Sequence, residues 1–391
     1  ATAGLLVSAA PLEGWLAGAD PGRWRRLLAA AVAVPLAASL WTLPLQLLHF
    51  GVVPLYAVPA NLAVEPLLTP LTLGAMAMAL VALLLPPLLA PLAWLLAWPS
   101  RLLLLLAHAF AGLPMAQWQT GRPQLLLVLL FTGALLALLV PPLARRCRWP
   151  ALAVLLLVTV LHTAELRADA LLLVHQGGGD LLVARHQGRA ALVASRADPF
   201  LCEQARRLAQ GLGVERFDWL LLLDPVAPQN PACWQERAGL SLLSGGDAPP
   251  LAAGQRIASA GLEVQSLSMD SQALLLRLGR QRWLLLPDRQ AVRSLEPLLT
   301  GLGPAGWSEP AFRRQLPPFP ESPALRAAAG LGEKPFGIWL GFVPGRTERR
   351  ILQVLRTGLV WVSGPGLKAA APLPTGWRAT GASGYLAWAG G

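Results

Sequence analysis

Charge is spread so unevenly along this chain that its two halves do not suit one solvent. Residues 1–165 carry eight Arg, no Lys and four acids, Glu13, Asp20, Glu65 and Glu165, whereas residues 166–391 carry the other 24 bases and 17 acids. Charged residues make up 14% of the whole and apolar ones 54%, against roughly 25% charged in an ordinary soluble protein. A chain of 391 residues also exceeds what one hydrophobic core usually organises. The expectation is a membrane α-helical bundle over residues 1–165, crossing the lipid several times, followed by a soluble α/β domain over residues 166–391.

Within the first half, Leu5–Leu16 reads as the tail of a helix. Asp20 to Arg26 reads as a turn holding three Arg and Trp24. Leu27–Phe50 is a long apolar segment interrupted by Pro35 and Pro44. Gly51–Pro70 is apolar but holds Pro54, Pro59, Pro66 and Pro70. Each proline removes a backbone donor, so this stretch is not expected to form one regular helix. The carbonyls so freed need partners inside a membrane, which predicts a place in the protein interior or along a wet path. Leu71–Leu85, a second stretch to Trp98, Gln124–Val140 and Ala151–Ala164 read as helices, and Arg101–Leu113 as interfacial or obliquely spanning. Trp15, Trp24, Trp94, Trp98, Trp118 and Trp149 lie near segment ends, as interfacial anchors do. Arg145-Arg146-Cys147-Arg148 reads as a loop between the last two spans. Short basic loops stay in the cytoplasm, which sends everything after about Glu165 to the outside. The chain opens Ala-Thr-Ala-Gly-Leu-Leu, without Met and already apolar, so it reads as a fragment with earlier segments missing.

From Ala170 the pattern becomes that of strands and turns. Ala170–Val174, Leu181–Arg185, Ala190–Ala194, Trp219–Leu223, Leu262–Leu267, Ala273–Leu278, Arg282–Leu286, Gly337–Phe342, Gly358–Ser363 and Gly384–Trp388 are strand candidates. Cys202–Leu212 has helical spacing and ends at Gly213, and Pro304–Pro335 reads as irregular. Strands with helices between them predict a layered sheet domain.

Several functions lose support at this level. Only Lys334 and Lys368 are lysines, a pattern that genomic G+C bias produces on its own. The pI near 11.1 is therefore weak evidence for nucleic-acid binding, because clustering, not net charge, makes a binding surface. Cys147, Cys202 and Cys233 have no CxxC spacing. Cys202 and Cys233 can pair in an oxidising compartment, a point the sequence leaves open. Gln176-Gly177-Gly178-Gly179-Asp180 lacks the Gly-Lys-Ser/Thr ending of a phosphate-binding loop and reads as a hairpin turn. After residue 165 the histidines are His175 and His186, with no Asp or Cys at ligand spacing, so neither a metal nor another cofactor is expected and no catalytic residue is named. In the first half, Gln46, His49, Asn61 and Glu65 are polar residues in apolar surroundings. Asn61 and Glu65 share a face wherever that stretch is helical. Polar groups at such positions usually face a bundle interior or an aqueous path, and these four are the channel-lining candidates.

Two regions together resemble the ComEC family, inner-membrane channel proteins of natural competence. In the membrane half the resemblance rests on Ser39-Leu-Trp-Thr-Leu-Pro44-Leu-Gln-Leu-Leu-His49-Phe50-Gly51-Val-Val-Pro54, continuing through Ala60-Asn61-Leu-Ala-Val-Glu65-Pro66-Leu. The second half is similar to the family's metallo-β-lactamase-like domain in eroded form. The family opens that domain with a strand ending Asp-Val-Gly-Gln-Gly-Asp. Here Val174-His175-Gln176-Gly177-Gly178-Gly179-Asp180 stands in its place, keeping Gly177, Gly179 and Asp180. The family's Thr-His-x-His-x-Asp-His motif follows an apolar strand. Here Asp224 to Asn230 follows Leu220–Leu223, and the ligand places hold Pro225, Ala227, Gln229 and Asn230. Met269 to Leu278 and Trp283 to Asp288 resemble the next two strands, which puts Asp288 at the bridging-carboxylate position.

The resemblance implies an αββα sandwich for residues 166–391 and a multi-pass inner-membrane protein with that domain outside the cytoplasm. It implies a component of a channel taking up single-stranded DNA in natural transformation. The partners it implies are single-stranded DNA and the bilayer, and it allows other competence proteins; the oligomeric state stays open. The rival reading is a membrane-anchored hydrolase or nuclease of the metallo-β-lactamase fold, inactive here because its ligands are lost. A third is a decayed relative with no activity.

Overall fold

The computed structural model describes residues 2–18, 22–226, 231–246, 250–267, 272–301, 335–353, 357–365, 374–381 and 383–390. It divides into two compact units, Ala1–Thr163 with Gln210–Gly213, and Ala164–Ala209 with Val214–Gly391.

The first unit is helical. Its elements are α1 (Thr2–Ala17), α2 (Arg23–Phe50), α3 (Ala57–Leu84), α4 (Leu89–Ala111), α5 (Leu125–Leu139) and α6 (Pro141–Arg167), the last running on into the second unit. Among the described residues four helices are long and apolar enough to cross a membrane: Arg23–Phe50, Ala57–Leu84, Pro86–Ala111 and Arg146–Arg167. The segment around Arg101 is thus part of a spanning-length helix. A stripe of small side chains, Ala29, Ala33 and Ala37, is the buried face of α2; small residues let helix backbones approach closely in lipid. Gly4 of α1 has the same use, because a Cβ there would sit 2.3 Å from the ring of Trp41. That ring donates its Nε1–H to Ser8 Oγ at 2.9 Å.

Three local expectations are corrected. Arg23, Arg25 and Arg26 belong to the first turn of α2, with Gly22 as its N-cap; Asp20 and Pro21 lie outside the described residues. Gly51–Pro70 is mostly helical: α3 starts at Ala57 and runs through Pro66 and Pro70. Each interior proline gives up one hydrogen bond, but a loop would give up many more, and apolar surroundings offer no replacement. Arg145–Arg148 is not a loop, since α5 ends at Leu139 and α6 begins at Pro141. Pro141 occupies the first helical position, where a missing N–H costs nothing. The six tryptophans expected as anchors are all exposed.

What remains non-helical is a two-stranded ribbon. β1 (Val52–Pro54) pairs antiparallel with β2 (Gln117–Gln119). Gly51 closes α2 in the left-handed conformation, φ 67°, its amide donating to the carbonyls of Gln46 and Leu47. A Cβ at Gly51 would come within 2.8 Å of backbone. The Gly51 carbonyl accepts from the Thr120 amide and hydroxyl at 3.0 and 3.1 Å. The Thr120 carbonyl in turn takes the Nε2–H of His162 at 2.7 Å. The backbone at this break is therefore satisfied by the ribbon together with the Thr120 hydroxyl and the His162 ring.

The second unit holds two sheets. One has the order β15-β3-β4-β5-β6-β7, the other β14-β13-β12-β11-β10-β9-β8. The first comprises β3 (Ala170–Gln176), β4 (Gly179–His186), β5 (Arg189–Ala194), β6 (Phe217–Leu222), β7 (Ala238–Ser244) and β15 (Tyr385–Ala389). The second comprises β8 (Arg256–Ser259), β9 (Leu262–Ser266), β10 (Leu274–Leu278), β11 (Gln281–Leu286), β12 (Gly337–Leu340), β13 (Leu359–Pro365) and β14 (Trp377–Gly381). Each sheet is half meander and half crossover: β3-β4-β5 and β9-β10-β11 are antiparallel, while β5-β6-β7 and β11-β12-β13 are parallel. The crossovers are α7 (Pro199–Leu212) and α8 (Pro231–Arg237) in the first, and α9 (Arg289–Gly301) and α10 (Arg346–Gln353) in the second. The same topology thus occurs twice.

Alternation decides how the sheets pack. Leu171, Leu173, Leu182, Val193, Trp219 and Leu221 of one share a core with Val264, Leu276, Trp283, Leu285, Trp339 and Trp361 of the other. The intervening Leu275, Leu284, Leu286, Ile338, Leu340, Val360 and Val362 point the other way and pack on Ala291, Val292 and Leu295 of α9 and Ile351 and Leu352 of α10. On the first sheet, Gly179 lies so close to Leu201 of α7 that a Cβ would meet its Cδ1 at 2.4 Å. Cys202 of α7 and Cys233 of α8 form a disulfide with a Cα–Cα distance of 6.4 Å, which answers the pairing the sequence left open. The Pro304–Pro335 segment lies outside the described residues except for Pro335.

Candidate functional site

The turn that opens the second unit positions its most unusual polar group. β3 and β4 are joined by Gly177 and Gly178, with φ 60° and 75°, a conformation glycine adopts without strain and one that matches the twist of a two-residue hairpin. That turn sets Gln176 opposite Gly179 and His175 opposite Asp180. The His175 Nδ1–H donates to Asp180 Oδ1 at 2.7 Å. The Asp180 amide donates to Ser195 Oγ at 2.7 Å, and its carboxylate is hydrogen-bonded by Ser363. Ser363 lies on β13 of the opposite sheet and accepts the Nε1–H of Trp339 at 2.9 Å. Asp180 is only 4% exposed. Burial pushes its pKa up from the usual carboxylate value; the hydrogen bonds from His175 and Ser363 and the charge of His175 pull the other way. The cluster is a polar latch across two sheets, with every arm satisfied.

His186, at the far end of β4, is held likewise. Its Nδ1 bonds Asp169 Oδ1 at 2.6 Å, and its ring fills the space over the Gly261 and Gly279 turns. Arg185 beside it donates to the carbonyls of Glu165 and Ala168, capping the last turn of α6. Both histidines of this unit therefore have carboxylate partners that sequence spacing did not reveal. The His175–Asp180 pair was readable in principle, because a two-residue turn at Gly177-Gly178 puts the two opposite each other. Ser195 and Ser363 had no local signal.

Among the remaining family-motif positions, Gly177 and Gly179 shape the turn, and Asp288 is a helix cap: its Oδ1 accepts the Ala291 amide at 2.7 Å at the start of α9. Pro225 is exposed after β6; Ala227, Gln229 and Asn230 lie outside the described residues. No group of three or more His, Cys, Asp or Glu comes together among the described residues. The donor chemistry of the ligand places is poor in any case. Proline and alanine side chains offer a cation nothing, and Asp288 is committed to the helix. The residues do not fit a metallo-hydrolase centre.

In the helical unit, Gln46 is half-buried near the end of α2 and its carbonyl helps to close the helix on Gly51. His49 is exposed, its ring beside that of Phe50 at 6.5 Å. Asn61 and Glu65 do fall on one helical face, since both lie in α3, and both are exposed. No residue of α3 is buried within the chain. The enclosure expected for this stretch is therefore not supplied by the described residues.

Residues 1–145 match the family model described as Competence protein. Over those residues the helical unit is similar to that family. The match ends inside α6, at the basic run Arg145–Arg148, so it covers α1 to α5 and the β1–β2 ribbon and none of the second unit's sheets. No curated protein matches the chain.

Proposed function

We propose that the protein is a component of a cytoplasmic-membrane channel that takes up single-stranded DNA. The observation that carries this reading is the competence-family match over residues 1–145, the region that holds three of the four membrane-length helices and the polar face Asn61–Glu65. A charged carboxylate at a helix centre costs about 2.5–3.5 kcal/mol on insertion scales if it faces lipid. On this reading Glu65 and Asn61 face an aqueous path or a neighbouring protein. The sheet unit is an eroded metallo-β-lactamase-like αββα sandwich. Its doubled topology and its outer helices on the second sheet support that assignment. It lies outside the cytoplasm, as the Cys202–Cys233 disulfide favours, because such bonds persist in oxidising compartments. It serves as a binding or structural part and not as a hydrolase.

The test is transformation by a complete, active form of the protein carrying Glu65→Leu. DNA uptake falls while membrane insertion persists. Unchanged transformation, together with lipid-facing labelling at positions 61 and 65, refutes the pathway. For topology, cysteines introduced in the sheet unit react with a membrane-impermeant reagent on intact cells and Cys147 does not; the reverse pattern inverts the orientation.

A further inference from the structure

Net charge alone said little about nucleic acid, and the fold shows where charge gathers. β11, β12 and β13 run parallel, so the helices that follow the first two, α9 and α10, both begin at the same end of the sheet. They pack on one sheet face through Ala291, Val292, Leu295, Ile351 and Leu352. That packing turns Arg289 and Arg293 outward on α9, one turn apart, and Arg346 and Arg350 outward on α10, again one turn apart; all four are exposed. No ion pair is seen for any of the four among the residues whose side chains are described. This sets them apart from Arg189, Arg207, Arg256 and Arg277, which are ion-paired with Asp218, Glu203 and Glu263. Among the acids near the four, Asp288 caps α9 and Glu348 is buried on the inner side of α10. Arg289 also lies over the ring of Phe342, 6.0 Å from its centre, in the loop between β12 and α10.

We propose that this outer face, Arg289, Arg293, Arg346 and Arg350 with Phe342 at its edge, docks the phosphate backbone of a single nucleic-acid strand. Four exposed guanidinium groups on two neighbouring helices match a repeating polyanion, and the positive ends of both helix dipoles lie at the same end. An aromatic ring with an Arg over it is the companion feature that single strands use, because unstacked bases need a flat surface. The identity of the strand as DNA rests on the uptake reading above; the charge cluster does not.

The experiment uses the full chain in nanodiscs of zwitterionic lipid and a dye-labelled oligothymidine of about 20 nucleotides, followed by anisotropy across a salt series. Each phosphate contact adds about −0.7 to the log–log salt slope for a single strand, so four contacts contribute roughly −3. Replacing all four arginines by Gln is expected to remove about that much slope and to weaken binding at low salt by at least about tenfold. Replacing all four by Lys is expected to keep binding within a few fold and confirms that the variants fold. The control replaces Arg189, Arg207, Arg256 and Arg277 by Gln, losing the same formal charge at ion-paired sites, and is expected to change little. Equal losses from the two Gln variants, or none from the first, overturn the proposal. So does an effect of the first variant on binding to anionic-lipid vesicles and not on the oligonucleotide. Failure is separable from failure of the channel: normal oligonucleotide binding by the Arg variant beside blocked transformation by Glu65→Leu removes the surface and keeps the channel. The opposite pair of results removes the pathway and keeps the surface.

Discussion

The helical unit and the sheet unit dispose of their apolar residues in opposite ways. Neither α3 nor α4 has a buried residue, and leucines along both, with Trp94 and Trp98 of α4, are exposed. In the sheet unit every residue of β12 is buried, and five tryptophans are sealed in the interior. The first arrangement is stable where lipid takes the place of a core, and the second only where water drives burial. Energy is accordingly held in different places. Backbone hydrogen bonding dominates the first unit, and packing between sheets dominates the second.

The sharpest test of that contrast is a pair of tryptophans. Trp283 is fully buried and packs on Trp361, Phe336 and Trp388, with ring centres 4.8, 5.8 and 6.1 Å away. Trp283→Ala should destabilise the sheet unit by roughly 3–5 kcal/mol, the usual cost of so large a cavity. Trp94→Ala removes the same side chain from α4, where it is 68% exposed, and should leave the melting of the sheet unit unchanged. Near-UV circular dichroism of the full chain in nanodiscs reads both. Equal effects would mean that α4 is buried by contacts other than lipid.

The disulfide comes next. Cys202 and Cys233 are 31 residues apart, and closing a loop of that length stabilises by roughly 3–4 kcal/mol in the chain-entropy picture. Reduction, or Cys202→Ser with Cys233→Ser, should lower the melting midpoint of the sheet unit and leave the helical content of the other unit intact. A thiol count on the unfolded, unreduced chain should find Cys147 alone reactive; three reactive thiols would refute the bond.

The contrast also separates what the sequence made legible. Strand candidates coincide with observed strands wherever both faces are buried: β4, β5, β6, β10, β11 and β12 all stand out as apolar runs. The three strands of the sheet unit that escaped notice, β7, β8 and β14, are all sheet edges. Their residues are only partly buried, as in Arg256-Ile257-Ala258-Ser259, so no apolar pattern is required of them. α10 escaped for a related reason. Its apolar side is only Ile351 and Leu352, and the rest is arginine, threonine, glutamine and a buried glutamate. In the helical unit the apolar stretches located helices well but overestimated proline as a breaker, because lipid penalises a broken helix more than a bent one. Candidate sites were less legible than either fold. A polar cluster such as Asp180 with Ser363 joins residues nearly the length of the domain apart, and only the packing of two sheets puts them together.

That latch gives the third prediction. Asp180→Ala would leave His175 and Ser363 without their shared partner in a buried setting, at about 1–3 kcal/mol. Asp180→Asn keeps a hydrogen-bonding group and removes the ionisation. Because burial raises the pKa of Asp180 in the folded protein, the stability it contributes is fully present below the unfolded carboxylate pKa and is lost as pH rises through the raised value. Asp180→Asn should therefore flatten the pH dependence of the melting temperature in the acid range just above the ordinary carboxylate pKa. An unchanged profile would show that the carboxylate titrates alike in both states.

The smallest effect decides how Asp288 is understood. The resemblance puts it where a bridging carboxylate would stand, while the structure shows Oδ1 taking the Ala291 amide at 2.7 Å as α9 begins. A cap and a ligand respond differently to substitution. Asp288→Ala should cost about 1 kcal/mol, the usual loss of an N-cap, and Asp288→Ser should recover most of it, since a hydroxyl accepts the same bond. A metal ligand would not be rescued by serine. Stability of the full chain, measured with and without added zinc or manganese, separates the two readings. As a cap, Asp288 gives the same ranking, Asp above Ser above Ala, in either condition, and the metals do not raise the melting temperature. A metal-dependent rise seen in the wild type and abolished in both variants would restore the site that the surrounding residues otherwise argue against. The cap also bears on the arginine face, because Asp288 starts the helix that carries Arg289 and Arg293. Serine at position 288 should therefore preserve oligonucleotide binding, and alanine should weaken it only in proportion to the fraying of the first turn.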